Sequence, residues 1–514
     1  MTRTIIGVTG PIASGKSTAI KMLQARPDYD PKFSFTYHDL DNVCKTANVN
    51  TKDFFQKHFK TSFLSKIDIV AKVFTNESLY EEYCDLFVDT ISDYLNSLPD
   101  GIHIVESSAL PSYPEVFNLY NIVLCLKPDT NVLINNRKDR GISGSIFDII
   151  FYRNVTKLAY SVTNFNFVLT NHNTLLELRS VFEKKLICSL DTSYHDQFNL
   201  LNCLKDNFPN INPYHNFYHT LSVLNDLILT GRYTRELGLV AIFHDFIYDP
   251  SKTDNEEQSA KYVLDHYQEY ANRLYDFNKY NWGNILNLIK QTKYDMIKPN
   301  TDLHSFFLSD VSHWNRTPEE IIESEQLMFK EYQHVNWHTY KKTRIQILQD
   351  ISSQLTSLKA LSRISLSISW LNTFKPKIGW FVGSFNPFTT GHLDILRKSE
   401  QIFDKVILVQ AINPNKYNPI KPLTEYKSLN NQIITDVKSI PELINSVGYK
   451  PTLIRGIRDS DDYKDAVKWY EQIKLFADAE LVLIQSDVSQ KHISSSFVRA
   501  AKQLSLDVSK FEVD

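Results

Sequence analysis

Cysteine is scarce in this chain: its 514 residues hold five, Cys44, Cys84, Cys125, Cys188 and Cys203, scattered and without a CxxC pair. A disulfide framework is therefore not expected, and the distribution suits unpaired thiols in a reducing, cytoplasmic setting. Net charge of one sign is nearly lacking as well. A formal charge of −3 gives no support for a general nucleic-acid binder or for a protein drawn to anionic membranes, so any phosphate chemistry must rest on local charge. No apolar run approaches membrane-spanning length, and the chain enters a strand pattern at once, with no signal peptide expected. Repeats and low-complexity linkers are lacking too. What is present is core material: 42% hydrophobic and 22% charged residues suit globular domains, and the length suggests about three of them.

The most informative stretch is Gly383-Ser384-Phe385-Asn386-Pro387-Phe388-Thr389-Thr390-Gly391-His392. The apolar run Ile378–Val382 before it reads as a buried strand, and Leu393, Ile395, Leu396 and Ile402 after it fall at roughly helical spacing. A strand, a turn and a helix start aim backbone N–H groups and a positive dipole end at one point, which suits phosphate. The same pattern also fits a capped helix start with a buried histidine. Further strands follow at 405–410, 452–457 and 481–484, and Ile493–Arg499 opens another helix. This alternation implies an open parallel sheet with its site at the carboxyl ends of the strands.

Over residues 374–514 these motifs resemble phosphopantetheine adenylyltransferase: GSFNPFTTGHLDI, NPNK, LIRGIRDSDDY and HISSSFVR. The resemblance implies a Rossmann-like α/β nucleotidyltransferase domain that uses ATP and Mg²⁺. It casts His392 and Lys416 as stabilisers of the pentavalent phosphorus, and Thr389 and Arg455 as phosphate holders. Ser384 contacts the attacking phosphate; Arg458 and Ser494, Ser495 and Ser496 grip ATP, with Phe385 and Gly456 in the same set. Asn386 replaces a family Asp, Ala466 an ATP-contacting Glu, and the 417–454 stretch is short, where part of the pantetheine pocket normally lies.

At the other end, Thr4–Val8 reads as a strand running into Gly10-Pro11-Ile12-Ala13-Ser14-Gly15-Lys16-Ser17-Thr18 and then a helix. This is G-x4-G-K-S in strand–loop–helix context: backbone N–H groups curl around phosphates, Lys16 reaches the β and γ phosphates, and Ser17 is a Mg²⁺ ligand. Asp39 and Asp41 follow a second strand. One carboxylate could take a proton from an attacking hydroxyl while the other orients substrate, or Asp41 or Asn42 could cap a helix. Ile102–Glu106 is a strand ending in an acid, Ile122–Leu126 a further strand, and Phe165–Asn171 a last strand and turn. Arg137, Lys138 and Arg140 read equally as a lid over ATP or as a solvated loop. Residues 1–187 resemble dephospho-coenzyme A kinase, an α/β P-loop kinase. That implies ATP held by Gly10, Gly15, Lys16, Ser17, Thr18, Arg137 and Arg140, with Lys16 and Asp39 catalytic. Pro11 and Ala13 replace loop glycines, and Lys66 stands for an Arg.

Between them, residues 194–358 read as helical. His215 and His219 are four apart, hence expected on one helix face; His244-Asp245 ends an apolar helix; Asp310 lies on another. Such donors suit Mn²⁺, Fe²⁺, Mg²⁺ or Zn²⁺. The H…HD…D order resembles the HD-type metal-dependent phosphohydrolases, an all-α family. The resemblance implies His219, His244, Asp245 and Asp310 as ligands, His215 as acid or phosphate contact, and Glu256 in support. Together the segments resemble a bifunctional coenzyme A synthase with an HD domain inserted. Its substrates would be phosphopantetheine, dephospho-coenzyme A and ATP, with no nucleic acid or membrane partner and self-association left open. Two other readings remain: an NMN adenylyltransferase joined to a riboside kinase, and a nucleotide phosphohydrolase with nucleotide-sensing flanks.

Overall fold

The structure, a computed structural model, describes residues 2–25, 30–47, 49–128, 167–171, 174–209, 212–274, 277–293, 302–311, 316–353, 355, 358–412, 422–426, 428–447 and 449–513. Two compact units divide the chain, one of Met1–Ser324 with Thr356–Arg363, the other of Glu325–Leu355 with Ile364–Asp514. Among the described residues no helix is long and apolar enough to cross a membrane.

The first unit holds five strands: β1 (Thr4–Thr9), β2 (Phe35–Asp39), β3 (Ile102–Glu106), β4 (Ile122–Pro128) and β5 (Phe167–Asn171). They pair in parallel in the order β2-β3-β1-β4-β5. Alternation along β1 sends Ile5 into one core with Leu40, Ile91 and Val116, and Ile6 and Val8 into the other with Ile20, Leu124 and Phe182. Burial on both faces is why β1, β3 and β4 read as near-continuous apolar runs, whereas β2 is half-exposed and mixed in composition.

Downstream of β5, every named element from Leu175 to Thr373 is a helix. The helix Leu175–Leu190 is buried on two sides. Leu178, Phe182 and Leu186 pack into the β1/β4 core. Its other face meets the helix Phe217–Leu229, where Asn225 donates to the Ser180 carbonyl at 2.8 Å. Arg179, also on this face, reaches Glu183 at 3.0 Å, Glu320 at 3.0 Å and Asp226 at 3.6 Å. Glu323 accepts from the Leu175 and Leu176 N–H groups at 3.0 and 3.1 Å, closing the helix's amino end.

The second unit holds β6 (Ile378–Gly383), β7 (Lys405–Ala411), β8 (Gln432–Val437), β9 (Thr452–Ile457) and β10 (Glu480–Gln485). They form a parallel sheet ordered β10-β9-β6-β7-β8. The helix after the opening motif runs Thr390–Glu400 and buries Ile395 and Leu396. Ile402, expected on its apolar face, lies beyond the helix end and is exposed, because the chain is already turning into β7.

Candidate functional site

Three sites are built, two at the carboxyl ends of parallel sheets and one among helices. In the second unit, β6 ends at Gly383 and the chain turns through Phe385, a non-glycine at φ +44°. Thr389 then caps the helix Thr390–Glu400: its backbone N–H donates to His392 Nδ1 at 3.0 Å, and its hydroxyl lies 2.9 Å from the same nitrogen. An accepting Nδ1 places the imidazole proton on Nε2, so the ring serves as a hydrogen-bond donor. Gly391 is required by close approach, since a Cβ there would stand 2.9 Å from the Ile493 carbonyl oxygen.

His392 lines a cavity of about 260 Å³ together with Ser384, Phe385, Arg455, Gly456, Arg458 and Ser494–Ser496. The residues expected from the sequence at 384–392, 455–458 and 494–496 therefore meet in one place, with Thr389 bonded to His392 from behind. Arg455 donates to the Val382 carbonyl at 3.0 Å and lies 4.8 Å from the Trp469 ring. Burial pulls its guanidinium below its usual range. Arg458 is engaged with Asp462 in a fork of 2.6 and 2.9 Å, so gripping a nucleotide requires it to exchange or share that partner. Ser494 caps the helix Ser495–Gln503 by accepting from Phe497 N, and Ser495 donates to the Pro387 carbonyl at 2.9 Å. Lys416 lies outside the described residues.

In the first unit, the loop Gly10–Gly15 joins β1 to helix α1 (Lys16–Gln24). Lys16 is folded back onto the loop, its ammonium donating to the Gly10 and Pro11 carbonyls at 3.0 and 3.1 Å. Ala13 sits at φ +67°, a left-handed conformation that costs an alanine about 1–2 kcal/mol. Ala13→Gly is expected to raise stability by about 0.5–1 kcal/mol after the extra unfolded-state freedom of glycine is deducted, read as a higher urea midpoint.

Parallel register sets Glu106 opposite both Val8 and Asp39. Ser17 donates to Glu106 at 2.7 Å and Tyr37 to the same carboxylate at 2.9 Å. A cavity of about 210 Å³ is lined by the loop, Lys16, Ser17, Asp39, Asp41 and Glu106. The cap of helix α2 (Leu40–Thr46) is Asp39, accepting from Asn42 N at 3.0 Å, not Asp41 or Asn42. Asp41 instead accepts from Ser107 at 2.8 Å. Thr18 follows Ser17 on α1, outside the cavity lining. Arg137 and Arg140 lie outside the described residues. Asn171, which closes β5, donates to the Ser14 carbonyl at 3.0 Å and supports the loop from behind. Glu106 and Asn171 each end a strand, and that position was the available signal for their part.

The third site corrects one expectation. His215 and His219 do not share a helix face, because Asn216 caps the helix at Phe217 by accepting from Tyr218 N and His219 N, which leaves His215 before the helix. The two rings still lie 5.5 Å apart. Ligand atoms of His219, His244, Asp245 and Asp310 all lie within 4.8 Å of one another. His244 Nε2 is 2.9 Å from Asp245, and His219 Nε2 is 3.0 Å from Asp310. Both Nε2 atoms are buried and neither is satisfied by a hydrogen bond.

Burial by itself would drive the His244 imidazole down, but Asp245 and Asp310 hold it well above its ordinary range. Burial likewise opposes the Asp245 charge, which His244 and the neighbouring imidazoles restore. Two enclosed carboxylates facing two unsatisfied imidazole nitrogens fit a divalent cation. Tyr248 stacks on His215 at 3.9 Å, a support that the sequence did not announce. Glu256 is set further back with Lys293 4.0 Å away, and burial raises its carboxyl above the usual range.

Residues 380–501 match the cytidylyltransferase-like family. The chain is 32% identical over 145 residues to the phosphopantetheine adenylyltransferase of Alkaliphilus metalliredigens, covering 26% of this chain and 91% of that protein. It is 34% identical over 145 residues to the phosphopantetheine adenylyltransferase of Wolbachia pipientis, covering 26% of this chain and 86% of that protein. Among solved structures, shikimate kinase from Acinetobacter baumannii in complex with shikimate aligns at 11% identity and a TM-score of 0.24, over 37% of this chain and 96% of that one.

Proposed function

Through its C-terminal part the chain belongs to the phosphopantetheine adenylyltransferase family, and from that premise we propose that it carries out the last two steps of coenzyme A synthesis. In the first step, a phosphate oxygen of 4′-phosphopantetheine attacks the α-phosphorus of ATP. The bond from that phosphorus to the pyrophosphate bridge breaks, and pyrophosphate leaves with the electron pair. The attacking phosphate is already anionic, so catalysis reduces to placement and charge stabilisation. The observation that carries this reading is the His392 ring, held as a donor by Thr389 beside Arg455 in one cavity. Lys416 is assigned beside them by family resemblance.

In the second step the Gly10–Ser17 loop holds ATP, and the ribose 3′-hydroxyl of dephospho-coenzyme A attacks the γ-phosphorus with release of ADP. Lys16 would leave its loop carbonyls for the phosphates. Asp39 or Asp41 receives the hydroxyl proton. Ser17 and Glu106 suit Mg²⁺, which neutralises phosphate charge when bound. Full-length protein given phosphopantetheine and Mg·ATP should yield coenzyme A, and Lys16→Ala should stop at dephospho-coenzyme A by chromatography. No ATP-dependent consumption of phosphopantetheine would overturn the proposal.

His219, His244, Asp245 and Asp310 would hold a divalent metal in a phosphoester hydrolase. Such an ion supplies a Lewis acid and a water ionisable near neutral pH. His215, stacked on Tyr248, would protonate a leaving oxygen. A His244→Ala/Asp245→Ala variant is expected to lose its bound metal by elemental analysis and its activity on a phosphoester panel, with adenylyl transfer kept. Full metal retention would sink this assignment.

A further inference from the structure

Strands β9, β6 and β7 lie side by side and parallel. Their starts therefore share one end of the sheet, opposite the end that carries Gly383 and Arg458. At that end each strand brings lysine. Lys450 stands two residues before β9, Lys375 and Lys377 precede β6, and Lys405 is the first residue of β7. All four line a cavity of about 760 Å³ with Trp337 and Tyr449, and no Asp or Glu is among the described residues lining it.

That volume lies within the range of small-molecule sites, roughly 300–1,000 Å³. Counter-charges stand outside it: Asp478 and Glu480, each 3.5 Å from Lys450 and both largely exposed, and Asp404, whose carboxylate accepts from the Lys377 backbone N–H at 2.7 Å. Lys405 is anchored by the Gln333 and Val335 carbonyls. Burial pulls its amine down to about 7, and an anion in the cavity would favour its charged form. Tyr449 is held at the rim, its hydroxyl accepting from the Trp380 indole at 3.1 Å. Trp337 opens a 17-residue helix, whose first turn is capped by Asn336, accepting from the His338 N–H at 2.9 Å.

We propose that this cavity is a second ligand site in the C-terminal unit, taking a phosphorylated compound with a flat ring, of the nucleotide class. The lysines face the phosphates, and the exposed Tyr449 ring serves the base, beside Trp337, whose ring is fixed by packing on Phe329, Tyr340 and Phe374. An occupant at this end of the sheet is remote from His392, so it acts as an effector and not as a reactant. The site stands whether or not the adenylyl-transfer assignment holds.

Photolabelling of the full chain with 8-azido-ATP, followed by peptide mapping, tests it site by site. Label is expected on peptides containing Trp337 or Tyr449 and is suppressed by excess ATP. A Lys375→Glu/Lys377→Glu/Lys450→Glu variant should lose that label about tenfold while label around Gly383–His392 stays within about twofold. These three lysines are exposed and Lys450 pairs only with largely exposed acids, so its thermal midpoint should fall only slightly; Tyr449→Ala gives an independent check on the same peptides. Label confined to the Gly10–Ser17 and Gly383–His392 regions would overturn the site. Suppression by inorganic tripolyphosphate as strong as by ATP would overturn the nucleotide assignment, since the ring would then contribute nothing.

Discussion

His392→Ala is expected to lower the turnover of adenylyl transfer about 10²–10³-fold, the usual loss when one preorganised donor to a developing oxyanion is removed. The imidazole is fixed on one side by Thr389, whose N–H lies 3.0 Å from Nδ1. It therefore meets the transition state in a set orientation and tautomer, with no reorganisation at the moment of reaction. Because the interaction strengthens as charge develops, KM for ATP should move far less than kcat. The substitution also removes half of a capping box and costs about 1 kcal/mol of helix stability, too little to unfold the unit. Steady-state kinetics with phosphopantetheine and Mg·ATP measure the split. A rise in KM with turnover unchanged would mean that the ring only binds ground-state phosphate.

The largest stability effect is expected at Arg179. Its side chain is 1% exposed and holds Glu183, Asp226 and Glu320, none more than 1% exposed. Arg179→Met keeps much of the volume but leaves three carboxylates enclosed without their shared cation. Breaking a buried pair on one side costs about 3–5 kcal/mol, and the buried Arg316 guanidinium, which also acts on Glu320 and Asp226, offsets part of that loss. The urea midpoint of the first unit, followed by far-UV circular dichroism, should fall accordingly. A fall under about 1 kcal/mol, the usual worth of a surface pair, would show that those acids find other cations. The loss should be recovered in part when Glu183, Asp226 and Glu320 are also made neutral, because the penalty lies in stranded charge.

Short contiguous runs announced what they build locally. Gly10–Ser17 and Gly383–His392 each lie within one strand–turn–helix passage, so backbone geometry follows from adjacent residues, and both cavities formed around them. Residues joined only by tertiary register were harder to read. Glu106 meets Ser17 because β3 pairs beside β1, and nothing near position 106 states that pairing. His215 and His219 meet for a reason other than their four-residue spacing: Asn216 starts the helix between them. Arg179 resembled any solvated helix charge, since its distant partners Asp226 and Glu320 come from two other helices that only tertiary packing brings to it. The metal-type cluster was legible as residue types in order, whereas Tyr248, its stacking partner for His215, carries no such chemical mark.

The helix Leu175–Leu190 has a consequence for how such a chain can be inherited. It serves as an outer layer of the β1–β5 sheet and as a wall of the helical bundle at once. A recombination event that split the gene between codons 187 and 194 would hand one descendant a sheet with Arg179 and Glu183 bared to water. The other would receive a bundle with Asp226 and Glu320 deprived of Arg179. The cavity at the Gly10–Ser17 loop and the His219/His244/Asp245/Asp310 cluster of this unit are thus bound to be transmitted as a pair.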